Sequence, residues 1–224
     1  MTGSLAAAKL TVFAAASLTG VFPQIDKAPR YNFAGSDQLA FQITQAAPAD
    51  VYAAASPKYP DQLYAKGLVY KPRVFATNEL VLIVPRANDA GIRTVYDLRR
   101  RGLRIVIGAK GVPVGDYTRK ALAALRLTTS VLRNVVSEET DVKSVVAKVA
   151  LGEADAGFVY RTDALAEQRH LRQIALPARA RPKIAYELAV VKATKHLQAA
   201  NAFVARVLGA QGRRTLRAAG FGLP

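Results

Sequence analysis

Lys9-Leu-Thr-Val-Phe-Ala-Ala-Ala-Ser17-Leu-Thr19 is the stretch from which the fold is read. Leu10 to Phe13 is a short apolar run rich in β-branched residues, the mark of a buried strand. Three alanines and a serine follow, and then Leu18, Val21, Phe22 and Ile25 at helical spacing. A strand therefore feeds directly into a helix start. Backbone N–H groups in the first turn of a helix have no internal partner, and the helix dipole favours a negative ligand there. The alanines keep the turn bare, and Ser17 adds a hydroxyl. On its own, Ser17 could equally be a plain helix cap.

The device recurs along the chain. Tyr31–Ala34 reads as a second strand, and Gly35-Ser36-Asp37 opens a helix through Leu39, Phe41, Ile43 and Ala46. Residues 48–54 form a third strand, and Ser56-Pro57 opens a helix that stops at Gly67, with proline at a permitted first position. Leu80–Val84 is the most apolar run, closed by Pro85, and predicts a buried strand crossing from one lobe to the next. From there the pattern restarts. A short helix spans 94–101, Arg104–Gly108 is a strand, and residues 110–117 form a turn. A helix follows over 118–125, an extended stretch over 131–136, and a helix from Val142 to Gly152. A strand then ends at Tyr160, residues 184–191 make the return crossover, and two helices close the chain. Alternating strands and helices with two crossovers predict a two-lobed α/β protein with mixed, mainly parallel sheets. Ligands of such sheets sit beyond the strand C-termini. Four helix starts, at Ser17, Ser36, Val114 and Val142, carry small or donor residues and no basic side chain.

Composition narrows the function. The chain has 224 residues, 51% of them hydrophobic, enough for one large domain or two lobes. No apolar run is long enough to span a bilayer. There is no cysteine, and His170 and His196 lie far apart without metal-ligand spacing, so no metal site and no cofactor are expected. The net charge of +16 invites a nucleic-acid partner, but residues 85–183 hold +9 of it and the remainder +7, with no recognised nucleic-acid motif. An evenly basic surface instead attracts small anions. Gly111-Val-Pro-Val-Gly115 is not a phosphate-binding Walker loop, because Asp116 stands where lysine is required. Ser36 sits in no GxSxG elbow, and adjacent Glu138 and Glu139 do not face each other as a catalytic pair. No enzyme is expected. Residues 1–8 lack a charged region and a long apolar region, so either a leader has been removed or the protein stays in the cytoplasm.

Taken together, TVFAAASLT (11–19), FAGSDQLAFQI (33–43), APADVYAAAS (47–56), VPVGDYTRKAL (112–122), ETDVKSVVAKVALGEADAGFVYRTDA (139–164) and AAGFGLP (218–224) resemble the periplasmic molybdate-binding proteins of ABC importers. The likeness runs from about Leu10 to the C-terminus. It implies the type II solute-binding fold, with lobe I over 1–82 and 188–224 and lobe II over 83–187. It also implies a two-strand hinge near Leu80–Val84 and Glu187–Val191. Molybdate or tungstate would bind in the cleft, with an ABC permease as partner, in a monomer outside the cytoplasmic membrane. By resemblance, Ser17 and Ser36 give hydroxyls and amides, Val114 and Val142 give backbone N–H groups, and Tyr160 gives its hydroxyl. The segment Thr19–Arg30 looks short for the family, and Asp37 and Asp116 must face away from a bound dianion. A ligand-sensing domain of a LysR-type regulator, or a binding protein for another small anion, is the alternative.

Overall fold

The computed structural model describes residues 10–224, so the expectations for Met1 to Lys9 lie outside the described residues. Strand β1 (Thr11–Ala15) carries Val12 and Ala14 into one apolar cluster and Phe13 into another. A strand buried on both faces needs a continuous apolar run, which is what these residues supply. β1 pairs in parallel with β2 (Arg30–Ala34) and with β3 (Val51–Ala54), Val12 lying opposite Tyr31 and Val51. Two antiparallel strands complete the sheet, giving the order β2-β1-β3-β10-β4, with β4 at Arg73–Asn78 and β10 at Ile184–Val190.

A second sheet repeats the plan. Its order is β7-β6-β8-β5-β9, over Val135–Glu139, Ile105–Gly108, Ala156–Tyr160, Leu80–Pro85 and Leu171–Ala175. β6 is parallel to both β7 and β8, and β5 is antiparallel to β8 and β9. Both sheets are therefore mixed, with parallel and antiparallel pairings in equal share. The chain changes sheet at Glu79, between β4 and β5, and returns through residues 176–183, between β9 and β10. These changes precede the positions expected from the sequence. Leu80–Val84 is a buried strand, but it lies wholly in the second sheet, and Glu187–Val190 lies within the first.

Helices pack on both sheets by apolar periodicity. α6 (Val142–Ala150) buries Val142, Val145, Val146 and Val149, the i, i+3, i+4, i+7 stripe. Asp141 caps it, accepting from Lys143 N at 2.7 Å and Ser144 N at 3.1 Å. α2 (Ser36–Thr44) buries Leu39, Ala40 and Ile43 and lies against α3 (Lys58–Ala65). The helix expected after Ser17 is broken. A 3₁₀ turn spans Ala16–Leu18 and a single turn, α1, spans Phe22–Ile25, so the short segment to Arg30 holds little helix.

Other elements shift with clear causes. α4 runs from Pro113 to Ala124, so it starts five residues before the expected Thr118, with Pro113 in the first turn where no N–H is needed. Residues 131–136 are not one extended stretch. Thr128–Leu132 is a short helix, α5, and the strand is the polar Val135–Glu139, half exposed at the sheet edge. α7 (Arg161–Ala166) and β9 were not foreseen; in β9 the adjacent Arg172 and Gln173 interrupt the apolar run. α8 (Leu197–Leu208) and α9 (Ala210–Ala218) close the chain.

Gly115 shows how tightly α4 meets β6. A Cβ there would lie 2.2 Å from the backbone oxygens of both Gly108 and Ala109. Gly20 has nothing within 4 Å of the same position. Gly115→Ala is therefore expected to destabilise the protein by about 1–3 kcal/mol, the usual range for overpacking, and Gly20→Ala to be near neutral. Denaturant midpoints check this, and equal midpoints for the two variants would contradict the packing described.

Candidate functional site

The parallel strands of both sheets end at one place. β1 delivers Ala15, Ala16 and Ser17, β2 delivers Gly35 and Ser36, and β3 delivers Ala55. From the second sheet, β6 leads to Val112–Val114, β7 to Asp141 and Val142, and β8 ends on Tyr160. All of these line one cavity of about 20 Å³. Drug-sized ligands occupy pockets of roughly 300–1,000 Å³, so this one suits a ligand of a few atoms. The structure thus brings Ser17, Ser36, Val114, Val142 and Tyr160 together, although up to 143 residues separate them in sequence.

The cavity wall offers hydrogen-bond donors. Ser36 Oγ accepts from Ala55 N at 3.1 Å, which leaves the serine proton free to point inward. Its own carbonyl accepts from the Tyr52 hydroxyl at 2.6 Å, fixing the turn. Tyr160 is 2% exposed and its hydroxyl has no partner among the described residues. A buried hydroxyl without a partner costs about 1–3 kcal/mol, a cost that a ligand accepting from it would recover. Burial pushes the Tyr160 phenol far above its usual value, with Tyr186 nearby adding to the shift, so it stays a protonated donor. The helix starts at Ser36 and Val114 carry no side-chain cap from the residue before the helix, and at the first of them the Asp37 carboxylate lies close to the N–H groups of Asp37 and Gln38.

Charges near the cavity are turned elsewhere. Among the described residues Asp141 is the one carboxylate on the wall, and its oxygens are taken by Lys143 N, Ser144 N and Ser144 Oγ. Lys143, next to Val142, forms an ion pair at 2.8 Å with the fully buried Asp163. Burial pushes the Asp163 carboxyl up, and Lys143 opposes that shift. Asp116 accepts from Gly111 N at 2.9 Å and pairs with Lys58 at 3.1 Å. Asp37 lies toward a groove between α2 and α3, and burial raises its carboxyl. Neither Asp37 nor Asp116 lines the cavity.

Groups packed with the two sheets also meet outside the cavity lining. The Lys58–Asp116 pair bridges them, and Asn78 donates to Thr162 Oγ1 at 2.9 Å. At Gly35 a Cβ would lie 2.4 Å from the Thr140 carbonyl oxygen, so only glycine permits that approach. Sequence reasoning missed Gly35 as a contact point, and it missed Asn78 and Tyr186 behind Ser17. No local pattern marks them, because their partners lie 84 to 169 residues away. His170 is exposed beside Glu167, while His196 is half buried against Asp50. Among the described residues no cluster of potential metal ligands occurs, and no helix is long and apolar enough to cross a membrane.

Comparison with known proteins places this geometry. Residues 10–222 match the family model described as "Bacterial extracellular solute-binding protein". The molybdate-binding protein ModA of Mycobacterium tuberculosis H37Rv is 40% identical over 228 residues, covering 97% of this chain and 86% of the relative. The periplasmic molybdate-binding protein of Azotobacter vinelandii superposes with a TM-score of 0.86 at 24% identity, covering 96% of this chain and all of that one. The sulfate-binding protein SubI of M. tuberculosis gives a TM-score of 0.82 at 19% identity, covering 95% of this chain and 86% of that one. At such identities the structural likeness speaks for the fold alone, and the fold is shared by proteins titled for different oxyanions. The two mixed sheets, the donor-lined cavity between them and the match over nearly the whole chain make this protein a bacterial extracellular solute-binding protein, a transport component rather than an enzyme, in the same family as ModA.

Proposed function

We propose that this protein captures molybdate, or the similarly shaped tungstate, in the cavity between its lobes and hands it to an ABC permease outside the cytoplasmic membrane. The observation that carries this is the buried hydroxyl of Tyr160, partnerless among the described residues, set with the free proton of Ser36 in a wall without an open charge. The 40% identity to a protein titled molybdate-binding supports the choice of anion. No observation favours the regulator-domain alternative.

In this reading Ser17, Ser36 and Tyr160 donate through their hydroxyls, and Val114 and Val142 through backbone N–H groups. Charge-assisted hydrogen bonds of this kind hold a dianion without a counter-ion. The even excess of positive charge draws the anion toward the protein. Lobe I takes in the first sheet and lobe II the second. They close by rotation where the chain changes sheet, at Glu79 and within residues 176–183. Donors from both lobes meet the anion only when closed, and this gives the ligand its preference for that state. The protein acts as a monomer.

Ser17→Ala, Ser36→Ala and Tyr160→Phe are each expected to weaken molybdate binding by roughly 1.5–3 kcal/mol, the scale of a hydrogen bond to a charged group. Titration calorimetry measures this, and wild-type affinity in all three variants would remove these residues from the site. Selectivity follows from the same donors. Molybdate and tungstate carry no proton and satisfy every donor, while hydrogen phosphate brings a proton that needs an acceptor. Leaving it unpaired costs on the order of 1–3 kcal/mol. Sulfate, with shorter bonds, leaves donors stretched. Competition calorimetry at neutral pH is expected to rank molybdate with tungstate, then sulfate, then phosphate. Phosphate binding as tight as molybdate would show that an acceptor faces the cavity.

A further inference from the structure

We infer that Tyr186, which does not line the cavity, is a positioning residue that makes Ser17 an obligate donor and braces Tyr160. The inference rests on the proposed anion site and goes beyond it by naming what sets the direction of its hydrogen bonds. Tyr186 lies on β10, fully buried, with its hydroxyl 2.9 Å from Ser17 Oγ. Behind it, Asn78 Nδ2 donates to the same Tyr186 oxygen at 3.4 Å and to Thr162 Oγ1 at 2.9 Å. The orientation of the Asn78 amide is fixed, because its oxygen accepts from Glu79 N at 2.9 Å.

Proton counting then gives the direction. Tyr186 has one hydroxyl proton, and its oxygen already receives one from Asn78. The acceptor left for that proton is Ser17 Oγ. If Ser17 donated to Tyr186 instead, the phenol proton would be buried without a partner, at a cost comparable to a lost hydrogen bond. Ser17 therefore accepts from Tyr186, and its own proton is directed to the cavity. Burial raises the Tyr186 phenol well above its usual value, so this proton is kept. The ring contributes separately. It stands edge-on to Tyr160 with centroids 5.7 Å apart, and packs likewise on Phe75 and on Phe221 of the C-terminal segment. One side chain of the first sheet thus touches one hydroxyl-bearing site residue of each lobe, Ser17 and Tyr160. The relay itself runs from Thr162 on α7, packed with the second sheet, to Ser17 in the first.

A double-mutant cycle tests the inference. Tyr186→Phe keeps the ring contacts and removes the hydroxyl, and Ser17→Ala removes its partner. Molybdate affinity is measured by calorimetry for wild type, both single variants and the double variant, with thermal melting of the unliganded proteins as a folding control. Tyr186→Phe is expected to weaken binding about three- to tenfold, from the usual worth of one hydrogen bond, and to have less than about a twofold effect when Ser17 is already alanine. The same loss in both backgrounds, or no loss in either, overturns the positioning role while leaving the anion site in place. Wild type that binds no molybdate overturns the anion site and this inference with it. Should Tyr186→Phe fail to fold, Asn78→Leu in the same cycle reads the relay one step back. It is expected to weaken binding only while Ser17 is present.

Discussion

A buried hydroxyl without a partner among the described residues, that of Tyr160, is the constraint on which the molecule turns. Six parallel strands end around one small cavity, and the first turns after them present N–H groups and hydroxyls to it. Those groups must be left open and yet kept from bulk water, and much of the local sequence follows from that. Alanine at 15, 16 and 55 keeps side chains out of the space, Gly115 lets α4 press onto the end of β6, and Gly35 lets the two halves meet at Thr140. The Tyr160 hydroxyl is the plainest sign of the design, since nothing among the described residues completes it. Without a partner it is a standing cost; with an anion present it becomes a charge-assisted bond.

Electrostatics fits the same scheme by removing charge from the cavity rather than placing it there. Asp141 is spent as a helix cap, Lys143 is neutralised by Asp163, and Asp116 is held by Lys58 and Gly111. Each of these charges lies within a few residues of a proposed contact and each is turned to another task. A lysine in the wall would bind any anion strongly and discriminate poorly. On the proposed function, a set of neutral donors at fixed positions would recognise protonation state and size instead, because a proton on the ligand would find no acceptor and a smaller ligand would find its donors stretched. The overall positive charge acts at longer range, on encounter rather than on choice.

Much of this was legible in the sequence, and the illegible parts have a common cause. Strand-to-helix turns such as Ala16-Ser17 and Gly35-Ser36 are local, so residue order alone exposed them, and their repetition in two halves revealed the two-sheet plan. Asp141 was readable as a cap for the same reason. The edge strand Val135–Glu139 was hidden because a half-exposed edge needs no apolar run, and β9 because Arg172 and Gln173 interrupt its pattern. α4 was read as starting late because Pro113 looked like part of a turn. The relay from Asn78 through Tyr186 to Ser17 was invisible. It joins residues separated by 108 and 169 positions, and no local signal encodes such a pairing.

The central claim is that one anion sits among neutral donors from both lobes. Crystals grown with tungstate test it most directly, because the metal scatters anomalously and its position is found without assumptions about the protein. The account predicts one strong peak inside the cavity, with ligand oxygens at hydrogen-bond distance from the Ser17, Ser36 and Tyr160 hydroxyls and from the Val114 and Val142 N–H groups. A peak held instead by surface lysines and arginines, with the cavity empty, would contradict it.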